Sequence, residues 1–178
     1  MKIILLALFL FINTLLSAEK NKIYFDIAPT HFEYSDFYSS QDIKQQKEID
    51  GLELGFSLLK PSSIESNFYL GMGGGAILNK LSPLVKDSHN LYNLHLLIAE
   101  YNFKYITIGG NFSIHHFGKT VPAIGKSFGV SVFYNHSEKL GLGVKLQEGR
   151  VDADPNANVE RYPKSDFSYS SLVLRFVF

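Results

Sequence analysis

The 178 residues contain 17 basic and 17 acidic side chains, no cysteine, 15 phenylalanines and 10 tyrosines. The balanced charge argues against a nucleic-acid partner, which would require a basic excess on one face. The lack of cysteine excludes a fold held by disulfides.

The N-terminal segment is predicted to be a cleavable export signal rather than part of the fold. Lys2 is its only charge, an apolar stretch follows, and Ala18 supplies a small residue before Glu19. This is the arrangement of a signal peptide. We therefore divide the chain into a signal peptide, residues 1–18, and one domain, residues 19–178. Without Lys2, the mature chain has a net charge of −1, from 16 basic and 17 acidic side chains.

Apolar residues of the mature chain recur with a period of two, which is the period of a β-strand with one apolar face. The first strand, Ile23 to Tyr34, is the least regular, and Pro29 predicts a bulge or an early departure from the ladder. Seven further alternating segments follow. Their apolar sets begin with Leu52, Phe68, Tyr92, Ile106, Phe128, Leu140 and Leu172. In the third of these segments the pattern places Ile98 with the apolar set and Leu97 and Ala99 on the opposite face.

The connections between the predicted strands alternate between long and short. The long ones are Ser35–Asp50, Asn79–Asn90, Phe117–Ser127 and Glu148–Asp166, and the short ones are Pro61–Ser66, Tyr101–Lys104 and Asn135–Lys139. Long external loops and short periplasmic turns are typical of an up-and-down barrel in a bacterial outer membrane. We therefore predict an all-β, eight-stranded antiparallel transmembrane barrel with both termini in the periplasm.

The residues opposite the apolar set indicate which face points inward. They are mostly glycine and serine, and the charges within the strand cores are Asp26, Glu53, Lys145 and Arg175. Small residues suit the narrow interior of an eight-stranded barrel, and a charge at the lipid midplane would cost roughly 2–4 kcal/mol. A soluble periplasmic barrel, with this face in water, remains an alternative.

The chain closes on an alternating strand that ends with Phe176, Val177 and Phe178. This ending resembles the C-terminal signal that the barrel-assembly machinery reads in outer-membrane proteins. Ser171 fits its polar position, and Val173 stands where a glycine is usual. With eight strands and unequal loops, the mature chain resembles the small barrels of the OmpA, OmpX and OmpW group. That resemblance implies insertion into outer-membrane lipid by the assembly machinery, with Phe176 and Phe178 as the recognised aromatic pair.

Two inward charges are predicted to pair across the closing seam. A register that sets Ile23 opposite Phe178 also sets Asp26 opposite Arg175. Because a one-residue slip would turn both charges toward lipid, the pair would fix the register of closure.

A second inward group is predicted to form a luminal network of hydrogen bonds, since confined polar groups must find partners. Asn, His and Ser also occur in outer-membrane lipid hydrolases, but such enzymes present their site to lipid. We therefore expect no catalytic residue and no enzyme. The network comprises Glu53, Asn93, His95, Asn111, Ser113, His115 and Lys145.

Three other motifs are interpreted as structural. The glycine-rich run 71–76 lacks the helix that a phosphate-binding loop requires, and His95 with His115 lacks further zinc ligands. The acidic pair in Asp152–Asn158 could hold calcium, but its composition favours a polar turn. We expect no cofactor and no metal.

The expected role is structural or interactive at the cell surface, with a polar, plugged lumen and a surface partner that the sequence does not identify. Two alternatives remain open: a narrow pore for small or apolar solutes, and a hydrolase that modifies lipid A.

Overall fold

The computed structural model describes residues 21–37, 44–63, 66–78, 91–116, 124–152 and 165–178. The predicted cleavage between Ala18 and Glu19 lies outside these residues, as does most of Asp152–Asn158. In the described part of the chain, no helix is long and apolar enough to cross a membrane.

Eight antiparallel strands close into a barrel, each paired with its sequence neighbours and the last paired with the first. This confirms the predicted fold class. The strands are β1 (Lys22–Phe37), β2 (Lys44–Pro61), β3 (Phe68–Leu78), β4 (Leu91–Asn102), β5 (Ile106–His116), β6 (Ile124–Asn135), β7 (Leu140–Asp152) and β8 (Ser165–Val177).

Large apolar side chains lie on the outside of the barrel. Phe128 is 72 % exposed and Val130 60 %, whereas Glu53 and His115 on the inner face have no exposed surface. A soluble barrel would have the reverse arrangement, since its apolar residues must leave water. The exposed band therefore marks the surface that contacts hydrocarbon in a membrane.

The strands at one end extend further than the sequence predicted. β1 continues to Phe37 and β2 begins at Lys44, so much of the predicted loop Ser35–Asp50 is a two-stranded ladder that includes the pair His31–Asp50. β6 also begins before Ser127, and β7 and β8 extend into the predicted loop Glu148–Asp166. The prediction ended strands where outward apolar residues stopped. Beyond the apolar layer, a ladder can continue with polar side chains facing water.

Pro29 does not cause the predicted bulge. β1 keeps one register with β2 through Pro29, and its register with β8 is the same before and after this point. The pairing with β8 is nevertheless interrupted between Ile27 and Thr30. Since proline has no N–H to donate, it leaves a gap in the ladder rather than an inserted residue.

A bulge lies instead in β4, where the register with β5 shifts between His95 and Leu97. Leu96 and Leu97 both face outward, at 43 % and 50 % exposure. The alternation after them is reversed, so Ile98 is buried in the lumen while Ala99 lies on the outer side. The predicted orientations of Leu97, Ile98 and Ala99 were therefore wrong, because a bulge changes the face of every residue that follows it.

Candidate functional site

Four charged side chains form an ion cluster inside the barrel. Arg175 on β8 donates through Nε to Oδ1 of Asp26 on β1 at 2.9 Å and through Nη1 to Oε1 of Glu100 on β4 at 2.6 Å. Lys145 on β7 donates to Oδ2 of Asp26 at 2.8 Å. Since β4 lies four strands away from β8 in either direction around the barrel, Arg175 connects opposite walls of the lumen.

Two aromatic rings enclose the Arg175 guanidinium. Its central carbon lies 4.1 Å from the ring centroid of Tyr24 and 3.6 Å from that of Phe133. Within this distance the ring faces attract the cation electrostatically. The two rings hold the planar guanidinium, which already binds two carboxylates, and they fill the space around it.

The structure places Asp26 directly opposite Arg175 in the β1–β8 ladder, the register proposed from the sequence. Ile23 and Phe178 exchange two backbone hydrogen bonds at the end of the same seam. Glu100 was not assigned to the lumen. The bulge in β4 turns it inward, and the adjacent leucines 96 and 97 were the available signal, since strict alternation would bury one of them.

The remaining predicted luminal residues divide into two groups. In the first, Asn93 donates to Glu53 at 3.1 Å, and Ser171 donates to the other carboxylate oxygen at 3.4 Å. In the same group, Nδ1 of His95 lies 2.5 Å from the hydroxyl of Ser113. That hydroxyl also accepts a hydrogen bond from Asn111 at 2.6 Å.

The second group surrounds His115, whose Nε2 lies 2.6 Å from the hydroxyl of Ser127. Gln147 donates to the same hydroxyl at 2.6 Å and accepts a hydrogen bond from Tyr169. Ser127, Gln147 and Tyr169 were not among the luminal residues predicted from the sequence. Lys145, predicted to belong to a shared network, lies in the ion cluster instead.

Apolar side chains cover the polar interior on both sides. Toward the end that carries the short turns, Tyr24, Leu59 and Ile98 form one buried cluster. Toward the other end, a second cluster includes stacked Phe32 and Phe167, with ring centroids 5.6 Å apart. Its members are Phe32, Ile77, Leu91, Phe167 and Tyr169. A third buried apolar cluster comprises Ala28, Phe133 and Val173. The described part of the lumen thus combines polar groups with apolar clusters, whereas the sequence predicted a polar, plugged lumen.

The remaining motifs fall in ordinary strand positions. The glycine-rich run 71–76 lies within β3 and pairs with β2 and β4. No group of three or more potential metal ligands occurs among the described residues. Phe178 is 75 % exposed, and Phe176 packs against Phe25 with ring centroids 6.5 Å apart. Recognition of these two phenylalanines by the assembly machinery remains a prediction.

No protein-family description matches the sequence, and no curated protein matches it. Solved structures do share its fold. Ail, the attachment invasion locus protein of Yersinia pestis, superimposes with a TM-score of 0.54 at 5 % identity, over 89 % of this chain and 99 % of Ail. Neisserial surface protein A gives 0.51 at 12 % identity, over 87 % of this chain and 95 % of that one.

These similarities show the fold, and the exposed apolar band indicates that the outer surface of the barrel contacts lipid. The chain therefore folds as a small eight-stranded β-barrel with an apolar, membrane-facing exterior, and it shares this architecture with Ail and neisserial surface protein A.

Proposed function

We propose that this protein is a sealed membrane anchor that acts through its external surface, in a structural or interactive role at the cell surface. The observation that carries the proposal is the Arg175 side chain, which joins Asp26 to Glu100 across the lumen. The end with the longer connections would face the exterior, as in other outer-membrane barrels.

The interior argues against the alternative of a narrow pore. An eight-stranded barrel has an interior just wide enough for side chains to fill. Here the Arg175 side chain is 6 % exposed and those of Asp26 and Glu100 are 2 % and 1 % exposed. Because a charge in a confined site is held by its partners, opening a path here would require separating ion pairs and displacing an apolar layer.

The interior also argues against hydrolysis by the luminal Ser–His pairs. His95 and His115 are 6 % and 0 % exposed, and Ser113 is fully buried beside them. A general base must come within hydrogen-bond reach of its substrate, and among the described residues these side chains are enclosed by the barrel wall. The luminal groups therefore act as internal partners for one another.

The lengths of the connections between strands support the surface role. The connections 38–43, 79–90, 117–123 and 153–164 all join strands at one end of the barrel, opposite the short turns. Loops held by a rigid scaffold are common positions for binding residues. Ail carries attachment and invasion in its name, and a surface role of that kind, with an unidentified partner, fits this architecture.

Conductance in planar lipid bilayers tests the sealed lumen. We expect the purified, heat-modifiable protein to produce no discrete current steps, whereas a porin inserted in the same bilayer produces them. Reproducible steps from the wild-type barrel would overturn the proposal in favour of a pore.

Replacing residues 153–164 by a glycine–serine linker should preserve heat modifiability while reducing attachment of intact cells to a surface.

A further inference from the structure

Three polar residues on the outside of the barrel lie side by side at the β1–β8 seam. Asp50 on β2 pairs with His31 on β1, and His31 pairs with Ser170 on β8. We call Asp50, His31 and Ser170 the rim row. Between this row and the end of the barrel with the short turns, outward side chains such as Leu172 and Leu174 are apolar. Toward the opposite end, the outward side chains include charged Glu33. The rim row therefore lies where hydrocarbon meets the polar headgroups.

The rim row includes a hydrogen-bonded imidazole and carboxylate. Nδ1 of His31 lies 2.8 Å from Oδ1 of Asp50, and Nε2 lies 3.3 Å from Oε1 of Glu33. A carboxylate on Nδ1 orients the ring and stabilises the imidazolium form, which is the role of the acid in a Ser–His–Asp triad. The hydrogen bond that the ring donates to Asp50 also raises the pKa of His31 above its usual value.

Ser170 occupies the position of a nucleophile relative to this imidazole. Directly opposed residues of neighbouring antiparallel strands have Cβ atoms about 4.5–5.5 Å apart. In the structure Nε2 of His31 contacts Glu33 rather than Ser170, so the ring would have to rotate away from Glu33 to meet the Ser170 hydroxyl. Hydrogen bonds of catalytic groups commonly tighten only when substrate is bound.

A cavity of about 450 Å³ opens beside the rim row, and all three of its residues line it. It lies at the gap that Pro29 leaves in the ladder with β8, and its apolar walls include Val144, Leu146 and Leu172. Its volume is within the range of small-molecule sites. Since Leu146 and Leu172 are both 54 % exposed on the outer face, the cavity opens toward the lipid, and luminal Thr30, Lys145 and Ser171 also line it.

From this juxtaposition we propose that the rim row hydrolyses fatty acyl esters of outer-membrane lipids, an activity beyond the surface role proposed above. The Ser170 Oγ attacks the ester carbonyl while His31 accepts its proton. The acyl–oxygen bond of the lipid then breaks, and His31 returns the proton to the departing alcohol. Water, activated in the same way, releases the fatty acid from Ser170. The acyl chain lies in the cavity, and Asp50 positions His31.

Labelling with an alkyl fluorophosphonate, located by peptide mass spectrometry, tests the nucleophile. We expect the folded barrel in detergent to be labelled at Ser170 and Ser170→Ala to remain unlabelled. Ser168→Ala is the matched control, because Ser168 is the next outward serine on β8 and does not line the cavity. Equal labelling of the wild-type protein and Ser170→Ala would contradict the proposal.

Release of fatty acid from lipid vesicles tests the reaction and separates its two possible lipid sources. One set of vesicles contains glycerophospholipid alone, and the other contains lipopolysaccharide. We expect release from at least one set, loss of release in Ser170→Ala, and a fall of at least about 100-fold in His31→Gln, the usual range for losing a general base. Each variant is first shown to be folded by its heat-modifiable gel mobility. No release by the folded wild-type protein from either set would overturn the proposal, while leaving the surface role intact.

Discussion

Serine and histidine residues are neighbours across paired strands in two regions of this barrel, with different consequences. In the lumen, His95 meets Ser113 and His115 meets Ser127, and all four are buried. On the outer face, His31 lies opposite Ser170 at an accessible cavity. The residue types are the same in both places. Access therefore decides their role: the enclosed pairs satisfy each other, and the outer row can meet a substrate.

The two regions also differ in what stabilises their charges. Inside, Arg175 holds two carboxylates with its side chain 6 % exposed. Outside, the Arg150 Nε lies 2.9 Å from Asp166 while both side chains are more than half exposed. Breaking a buried pair leaves an uncompensated charge, whereas an exposed pair is screened by water.

The largest expected effect comes from Arg175→Ala. It leaves Asp26 and Glu100 without their shared partner, and we expect the free energy of unfolding to fall by about 3–5 kcal/mol. Urea titration in detergent, followed by the heat-modifiable gel shift, measures this loss. Arg150→Ala provides the control and should change the same free energy by less than about 1 kcal/mol. If the two variants were equally stable, the ion cluster would not contribute as described.

A smaller effect is expected from Gly143→Ala in the lumen. A Cβ atom at this position would overlap the Phe133 ring and the Val132 carbonyl. The overpacking should destabilise the barrel by about 1–3 kcal/mol in the same titration. At Gly141 the nearest atom to such a Cβ is 3.5 Å away, so Gly141→Ala should be close to neutral. Matching stabilities for the two variants would mean that the lumen is less tightly packed than the structure shows.

The smallest expected effect concerns the titration of His31, which lies at the outer edge of the apolar band. The hydrogen bond that His31 donates to Asp50 raises the pKa of His31, so protonated His31 stabilises the fold. The contribution is fully present below the pKa of the unfolded chain and is lost as pH rises through the raised value. NMR titration in detergent should show the raised pKa, and Asp50→Asn should lower it. An unchanged titration in Asp50→Asn would exclude the His31–Asp50 contact.

The barrel itself was predictable because its outward residues follow a strict period of two in most strands. From β5 to β8, residues such as Ile108, Val130 and Leu146 face outward as the alternation indicates. The register of the β1–β8 seam also followed from aligning Ile23 with Phe178. These features depend on local pattern and on the requirement that the barrel close.

The sequence was less informative where the pattern of apolar residues has a cause other than contact with lipid, such as a bulge or an apolar cluster in the lumen. The adjacent Leu96 and Leu97 were interpreted as alternating residues rather than as a bulge, so the inward turn of Glu100 was missed. Phe32 and Leu91 are apolar but face the lumen, where they belong to the buried cluster at the end opposite the short turns. Apolar residues had been taken to mark the lipid face. The rim row was missed because Asp50 was assigned to a loop. Continuing the seam register from Asp26 and Arg175 would have placed His31 opposite Ser170.

Single-cysteine accessibility tests the central contrast between a sealed lumen and a reactive outer face most directly, since the native chain has no cysteine to interfere. The barrel is labelled with a small thiol reagent as Ser127→Cys, inside, and as Ser170→Cys, at the rim row. We predict rapid labelling of Ser170→Cys, and labelling of Ser127→Cys only after the barrel is unfolded by heat. Rapid labelling of folded Ser127→Cys would show that the lumen is open and would contradict the account.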